Sequence, residues 1–274
     1  MNWHRMATVL RTDLKQLLQA RDFWVPMMAL GAIFFLIIPT VLLLAISSIG
    51  DVEVVKNVSN ALDLLPQQAQ QQIQGDSPEA RTAYALAVYL FAPVAVVVPL
   101  TISTAVGAAT IVGERERGTG EFLAHSPADV REIYLGKLAA SLIPGYFTTI
   151  AGFGAYSLIV NLIVGPQVGG WFFPTPQWWV LMFWVVPPFL AFTLSLVLRL
   201  SARVKSTAAA QQASGLVSLP LILVAYSQSS GALFGAAVSG WVTGALAWVI
   251  ALFSLSRGMK AVSRNRLLGV ADES

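Results

Sequence analysis

Four long runs without a single charged residue constrain the fold of this chain more than any other feature. They are residues 23–50, 82–113, 138–198 and 206–256. About 20 apolar residues are enough for a helix to cross the hydrocarbon core of a bilayer. Each run is therefore long enough for one crossing, and the two longest are long enough for two. The chain is predicted to be an all-α membrane protein.

The two longest runs each contain a break that divides them into two helices. The run 138–198 is interrupted by helix-breaking residues and by tryptophans typical of a membrane interface. These residues are Gly165, Pro166, Gly169, Gly170, Pro174, Pro176, Trp171, Trp178 and Trp179. The run 206–256 is broken near 227–235. Six transmembrane helices are thus predicted, at 23–50, 82–113, 138–164, 177–198, 207–226 and 236–256.

The basic residues support this count and orient the chain. Of the 17 Lys and Arg residues, all but Lys56 and Arg81 lie in four segments that six spans place on one side. These segments are the N-terminus, 113–137, the turn 199–205 and the tail. Basic residues are enriched on the cytoplasmic side of a membrane. Both termini are therefore predicted to be cytoplasmic.

Residues 1–22 are predicted to form an amphipathic interfacial helix on the membrane surface. Trp3, Met6, Leu10, Leu14 and Leu17 recur every three or four residues, as on the apolar face of a helix. The basic residues around that face would meet anionic lipid headgroups. An ordinary soluble amphipathic helix is the alternative, and the length of the apolar run that follows argues against a cleaved signal peptide.

The segment 113–137, here called the charged island, separates two charge-free runs and reads GERERGTGEFLAHSPADVREIYLGK. Ser126 and Pro127 should end one short helix, and Asp129 should cap the next. Its glutamates offer carboxylates to arginines of a partner, although such a run can also be a solvated loop that pairs with itself. It lacks the lysine of a phosphate-binding loop, and two acids would repel phosphate.

The composition excludes several functional classes. Only 11% of the residues are charged, against about 25% in soluble domains, and none lies in the predicted spans. Proton-driven transporters place ionisable residues there, so the pattern argues against that mechanism and against an intramembrane enzyme. The chain has no cysteine and two isolated histidines, which predicts no disulfide framework, metal site or catalytic residue. A net charge of +3 is too small to argue for nucleic acid.

Polar residues within the spans are the candidates for contact with a transported substrate, because a buried amide or hydroxyl needs a partner. They are Thr101, Thr104, Asn161, Gln211 and Gln212. The threonines follow Pro93 and Pro99, which should bend the second span and free carbonyls that either neighbouring helices or a water-lined cavity must satisfy. Two alternatives stay open: the hydroxyls bond to their own helix, and Asn161 lies close enough to the interface to be solvated.

The charged island resembles the permeases of the ABC-2 type. Those sequences typically read E-x-E-x-G-T-x-E-x-L-L-x-[ST]-P and then G-K between their second and third spans. The matching residues are Glu114, Glu116, Gly118, Thr119, Glu121, Leu123, Ser126, Pro127, Gly136 and Lys137, with Ala124 in place of the usual second leucine. The order of surface helix, six spans and island extends the resemblance over nearly the whole chain.

The resemblance implies an ABC-2 (type V exporter-like) permease fold. Residues 1–22 would be the interfacial helix, 23–257 the six-helix transmembrane domain with a coupling segment at 113–137, and 258–274 a cytoplasmic tail. The residues implied to contact an ATPase are Glu114, Glu116, Gly118, Thr119, Glu121, Phe122, Leu123 and Pro127.

The resemblance also implies the partners. Two cytoplasmic ATPase subunits would bind ATP and Mg²⁺ and drive export through two permease subunits, identical or not, in a bacterial cytoplasmic membrane. The chain itself would bind membrane lipid but no cofactor and no nucleic acid. A regulatory or scaffolding membrane protein that binds a soluble partner through the charged island is the alternative. An ATP-independent channel or carrier fits the charge-free spans less well.

Overall fold

The structure, a computed structural model, describes residues 2–49, 60, 67–116, 126–201, 212 and 237–261. Helices dominate these residues, and no strand occurs among them. The α-helices are Trp3–Gln19, Arg21–Ala32, Ile38–Leu44, Gln67–Gln71, Pro78–Ala85, Val94–Glu116, Val130–Ile163, Gly165–Val168, Pro176–Val180, Val186–Ser201 and Ala237–Ala261. π-Helical segments at Ile33–Ile37, Ala45–Ile49, Leu86–Leu90 and Leu181–Val185 continue some of them.

Five helices in the described ranges are long and apolar enough to cross a membrane. They are Trp24–Ser47, Pro78–Thr110, Val130–Ile163, Pro176–Leu200 and Gly240–Met259, called below the first, second, third, fourth and last spans. The prediction of an all-α membrane protein is confirmed at these five positions. The helix predicted at 207–226 lies outside the described residues apart from Gln212, so the count of six stays a prediction.

The third span begins at Val130, eight residues before the charge-free run, because Asp129 caps it. The Asp129 carboxylate accepts a hydrogen bond from the Val130 amide at 2.7 Å. Glu132 completes a capping box, accepting from the Asp129 amide at 3.0 Å. The predicted cap is confirmed. The predictions of a separate short helix after Asp129 and of a span that starts at 138 are wrong, because one continuous helix runs from Val130 to Ile163.

Aromatic side chains from the third and fourth spans satisfy the carbonyls that a bend in the second span releases. Pro93 has no amide hydrogen, so the Val88 carbonyl has no π-helical donor and accepts from the Trp178 indole at 2.9 Å. The Ala87 carbonyl accepts from the Tyr156 hydroxyl at 2.7 Å. Side chains of neighbouring helices therefore satisfy both carbonyls, which is one of the two alternatives that the sequence leaves open.

Tyr156→Phe is expected to lower the free energy of unfolding by about 1 kcal/mol, because it leaves the Ala87 carbonyl without its donor while keeping the ring. A denaturant titration in detergent micelles measures the change. Tyr84→Phe is the matched control, since Tyr84 is buried nearby and its hydroxyl makes no hydrogen bond among the described residues. Equal midpoints for the two variants would contradict the role of Tyr156.

The tryptophans near the break divide into two kinds. Trp171 and Trp179 are 72% and 51% exposed, as an interfacial belt requires. The prediction is wrong for Trp178, which is 1% exposed and stacks on Phe153 with ring centroids 5.7 Å apart. Its indole is buried because it donates a hydrogen bond to the Val88 carbonyl in the bent second span.

The last span packs closely on the fourth through a glycine. A Cβ atom on Gly244 would lie 2.1 Å from Cδ1 of Trp184. The Trp184 indole also donates to the Trp241 carbonyl at 3.0 Å. The small-residue pattern Gly240-x-x-x-Gly244 therefore allows a close approach of helices, as predicted.

Candidate functional site

One end of the bundle, here called the charged end, joins the N-terminal helix to the last residues of the charged island. The Arg5 guanidinium donates a hydrogen bond to the Pro127 carbonyl at 2.7 Å. The Asn2 amide donates to the Glu132 carboxylate, which also closes the capping box. The N-terminal helix is therefore fastened to the point where the third span begins.

A buried ion pair lies one helical turn deeper. The Lys137 ammonium is 3.6 Å from an Asp13 carboxylate oxygen, and the two side chains are 0% and 7% exposed. The same ammonium donates to the Thr110 carbonyl at 2.9 Å. A buried charge is tolerated only with close polar partners. Lys137 thus joins the N-terminal helix, the second span and the third span at a single point.

Gly136 allows the N-terminal helix to come this close. A Cβ atom there would lie 2.9 Å from Val9 and 3.2 Å from the Met6 carbonyl. The adjacent residues Gly136 and Lys137 therefore have complementary roles, one admitting the helix and the other binding its aspartate. This is a physical reason for the glycine–lysine pair at the end of the charged island.

The buried side of the N-terminal helix differs from the apolar face read in the sequence. Val9 and Asp13 are buried against the third span, whereas Trp3, on the predicted apolar face, is 68% exposed. Sequence analysis missed Asp13 because an isolated acid among basic residues reads as a solvated group. Only its distant partner, Lys137, explains its burial.

A second polar cluster ties the third, fourth and last spans near the same end. The Tyr134 hydroxyl lies 3.0 Å from Oγ of Ser195, which lies 3.1 Å from Oγ of Ser254. Arg199 donates to Ser254 at 2.8 Å. Gly258 makes room for the ring of Tyr134, because a Cβ atom there would lie 2.3 Å from its hydroxyl oxygen. All described spans except the first thus meet through polar contacts near the charged end.

Of the residues predicted to contact an ATPase, three lie in the described part of the chain and five lie outside it. Glu114 and Glu116 end the helix Val94–Glu116. Pro127 accepts the hydrogen bond from Arg5. The remaining predicted residues lie outside the described residues: Gly118, Thr119, Glu121, Phe122 and Leu123.

The predicted substrate-contacting threonines are engaged by their own helix. The Thr101 hydroxyl donates to the Val97 carbonyl at 2.8 Å, and Thr104 donates to the Leu100 carbonyl at 2.7 Å. Thr101 is exposed and Thr104 buried. Gln212 is exposed and Gln211 lies outside the described residues. Both threonine hydroxyls are thus hydrogen-bonded to their own helix, which is one of the predicted alternatives. Contact with a substrate stays a prediction for all of these residues.

Asn161 holds the turn between the third and fourth spans. Its amide nitrogen donates to the Ser157 carbonyl at 2.8 Å and to the Phe173 carbonyl at 2.5 Å. Its amide oxygen accepts from the backbone amides of Phe172 and Phe173 at 3.0 and 3.1 Å. The side chain is 2% exposed, so it is not merely solvated at an interface. In the structure, the Asn161 side chain holds this turn in place through its hydrogen bonds to Phe172 and Phe173.

The fold and the charged end define a multi-pass transmembrane protein whose spans are joined at one end by polar contacts. No group of three or more side chains suited to a metal occurs in the described ranges. The chain belongs to the ABC-2 transporter family, because a family model described as ABC-2 family transporter protein matches residues 7–240. A search of curated proteins gives no match. The match covers the N-terminal helix from residue 7 and the whole charged island, and makes the chain a transporter permease.

Proposed function

We propose that this chain is the transmembrane permease subunit of an ATP-binding cassette exporter in a bacterial cytoplasmic membrane. Two copies of a separate cytoplasmic ATPase bind ATP and Mg²⁺, and a second permease subunit completes the pathway. Family membership over residues 7–240 and the membrane-crossing helices support the proposal. The charged end faces the cytoplasm in this arrangement, together with both termini.

The observation that carries the proposal is the way the charged island is attached. Its first residues continue the helix of the second span as far as Glu116, and its last residues begin the helix of the third span at Val130. The Lys137 ammonium then connects the third span to Asp13 of the N-terminal helix and to Thr110 of the second span. A displacement of the charged island by an ATPase would therefore move three helices together.

Co-purification tests this proposal. The chain is expressed with its genomic neighbours and purified in detergent. We expect a P-loop ATPase to come with it in stoichiometric amount and to hydrolyse ATP only with magnesium. A permease that purifies alone, and that no neighbouring product binds, would overturn the proposal.

Glu121→Arg is expected to lower substrate-stimulated ATP hydrolysis by about tenfold. Reversing this charge removes a charge-assisted hydrogen bond to the ATPase, worth about 1.5–3 kcal/mol, and tenfold corresponds to about 1.4 kcal/mol. Asp76→Arg is the matched control, an exposed acid next to the N-terminus of the second span, at the other end of the bundle. Unchanged transport by the Glu121→Arg variant would mean that the charged island does not couple ATP hydrolysis to transport.

A regulatory or scaffolding protein is the second candidate, favoured by the same charged island. Such a protein binds its soluble partner equally well without any substrate-dependent turnover. Reconstituted vesicles separate the two functions, because only the exporter couples ATP hydrolysis to movement of a solute. Transport in vesicles that lack every ATPase would instead indicate a channel or carrier.

A further inference from the structure

An apolar groove opens where the N-terminal helix meets the first and third spans. It has a volume of about 570 Å³, within the range of roughly 300–1,000 Å³ for ligand sites. Leu18, Met28 and Phe147 form its walls and are 72%, 54% and 72% exposed. Val106 and Thr148 form its buried floor.

The floor of the groove offers no polar group to a ligand. The Thr148 hydroxyl donates to the Pro144 carbonyl of its own helix at 2.8 Å. The Thr148 methyl group packs instead against the first span, where a Cβ atom on Gly31 would lie 2.9 Å from it. A ligand of this groove is therefore apolar along the part that enters it.

The mouth of the groove carries positive charge. Arg11 and Lys15 are exposed residues of the N-terminal helix, three residues before Leu14 and Leu18 respectively, which both line the groove. Asp13, the acid between them, is turned inward and paired with Lys137. Exposed charge on this side of the helix is thus basic, directly beside an apolar cleft.

We propose that this groove binds one acyl chain of an anionic phospholipid, with its headgroup on Arg11 and Lys15. The site needs a ligand with an apolar chain and a negative charge one helical turn away, and a membrane surface supplies that chemistry. The first span begins at Trp24 beside the groove, which places the groove at the depth where headgroup and chain meet. This site is independent of the ATPase and of the transported substrate.

Native mass spectrometry of the purified permease tests the proposal with two probes, phosphatidylglycerol and phosphatidylcholine of identical chains. We expect one phosphatidylglycerol to be retained about twenty-fivefold more tightly, since each of the two basic side chains near the surface contributes about fivefold. The double variant Arg11→Gln with Lys15→Gln should lose this preference. The double variant Arg131→Gln with Arg257→Gln is the control, because both arginines are exposed but lie on the third and last spans and not on the N-terminal helix.

A groove-filling variant tests the acyl-chain half of the site. Ile143→Trp should weaken retention of both lipids by about tenfold. Leu162→Trp is its control, an exposed leucine on the same helix and outside the groove. Equal retention of the two lipids by the unaltered chain overturns the headgroup assignment. Unchanged lipid retention in Ile143→Trp would show that the groove does not bind the acyl chain. A dimer that retains no lipid, while the monomer does, would also overturn the proposal, because a second copy of the chain would then cover the groove.

Discussion

Lys137→Met is expected to lower the free energy of unfolding by about 3–5 kcal/mol. The variant leaves the Asp13 carboxylate in the protein interior without the ammonium 3.6 Å away, and breaking a buried ion pair from one side has this cost. It also removes the donor to the Thr110 carbonyl. Loss of one side chain therefore loosens the N-terminal helix, the second span and the third span together.

The double variant Asp13→Leu with Lys137→Met separates the cost of an unpaired charge from the value of the pair. Replacing a buried pair by apolar residues of similar size is often neutral or stabilising, so we expect stability within about 1 kcal/mol of the unaltered chain. Denaturant titration in micelles measures all variants. Arg131→Met is the control, an exposed basic residue of the third span whose removal should change stability by less than about 0.5 kcal/mol. A Lys137→Met midpoint as high as that control would disprove the buried pair.

Gly145→Ala is expected to destabilise the protein by about 1–3 kcal/mol through overpacking. A Cβ atom there would lie 2.0 Å from Oγ of Ser103 and 3.0 Å from the Pro99 carbonyl oxygen. Ser103 is 0% exposed, and the Pro99 carbonyl belongs to the backbone of the second span. The second and third spans would have to separate to admit one methyl group.

Gly154→Ala provides an internal reference for that experiment. It lies on the same helix with nothing within 4 Å of the added Cβ atom. Because alanine is the better helix former, this variant should be neutral or more stable by up to about 1 kcal/mol. The prediction concerns the difference between the two midpoints, which cancels the helix-propensity effect. A Gly145→Ala variant as stable as Gly154→Ala would mean that the two spans do not touch at Gly145.

Much of the fold could be predicted because it depends on neighbours in sequence. The charge-free runs predict spans, since a charge in hydrocarbon is costly wherever the rest of the protein lies. Asp129 is a helix cap through hydrogen bonds that involve Val130 and Glu132, both within three residues of it, and the predicted cap is confirmed. The bend at Pro93 also follows from local chemistry, because a missing amide hydrogen is a property of proline alone.

Contacts between residues that are far apart in the sequence could not be predicted in this way. The sequence shows that Pro93 leaves a carbonyl without a backbone donor. It does not show that Trp178, 90 residues from Val88, donates to that carbonyl. The sequence predicts a substrate contact for Asn161, because a polar residue in a span needs a partner. Its partner is the turn at Phe172 and Phe173, whose backbone position only the folded chain defines.

The sequence by itself determined the five described segments that cross the membrane, the helix cap at Asp129 and, from the island motif, the family resemblance that the family match confirms. Only the tertiary structure decided that Asp13 is buried beside Lys137, that Gly136 leaves room for Val9 and that Trp178 is buried and not exposed at the membrane interface. The physical reason is the distance along the chain over which each interaction acts. Hydrophobic transfer and helix capping act along the chain, whereas a buried charge or an unpaired carbonyl is satisfied by whichever group the packing of the helices brings within reach.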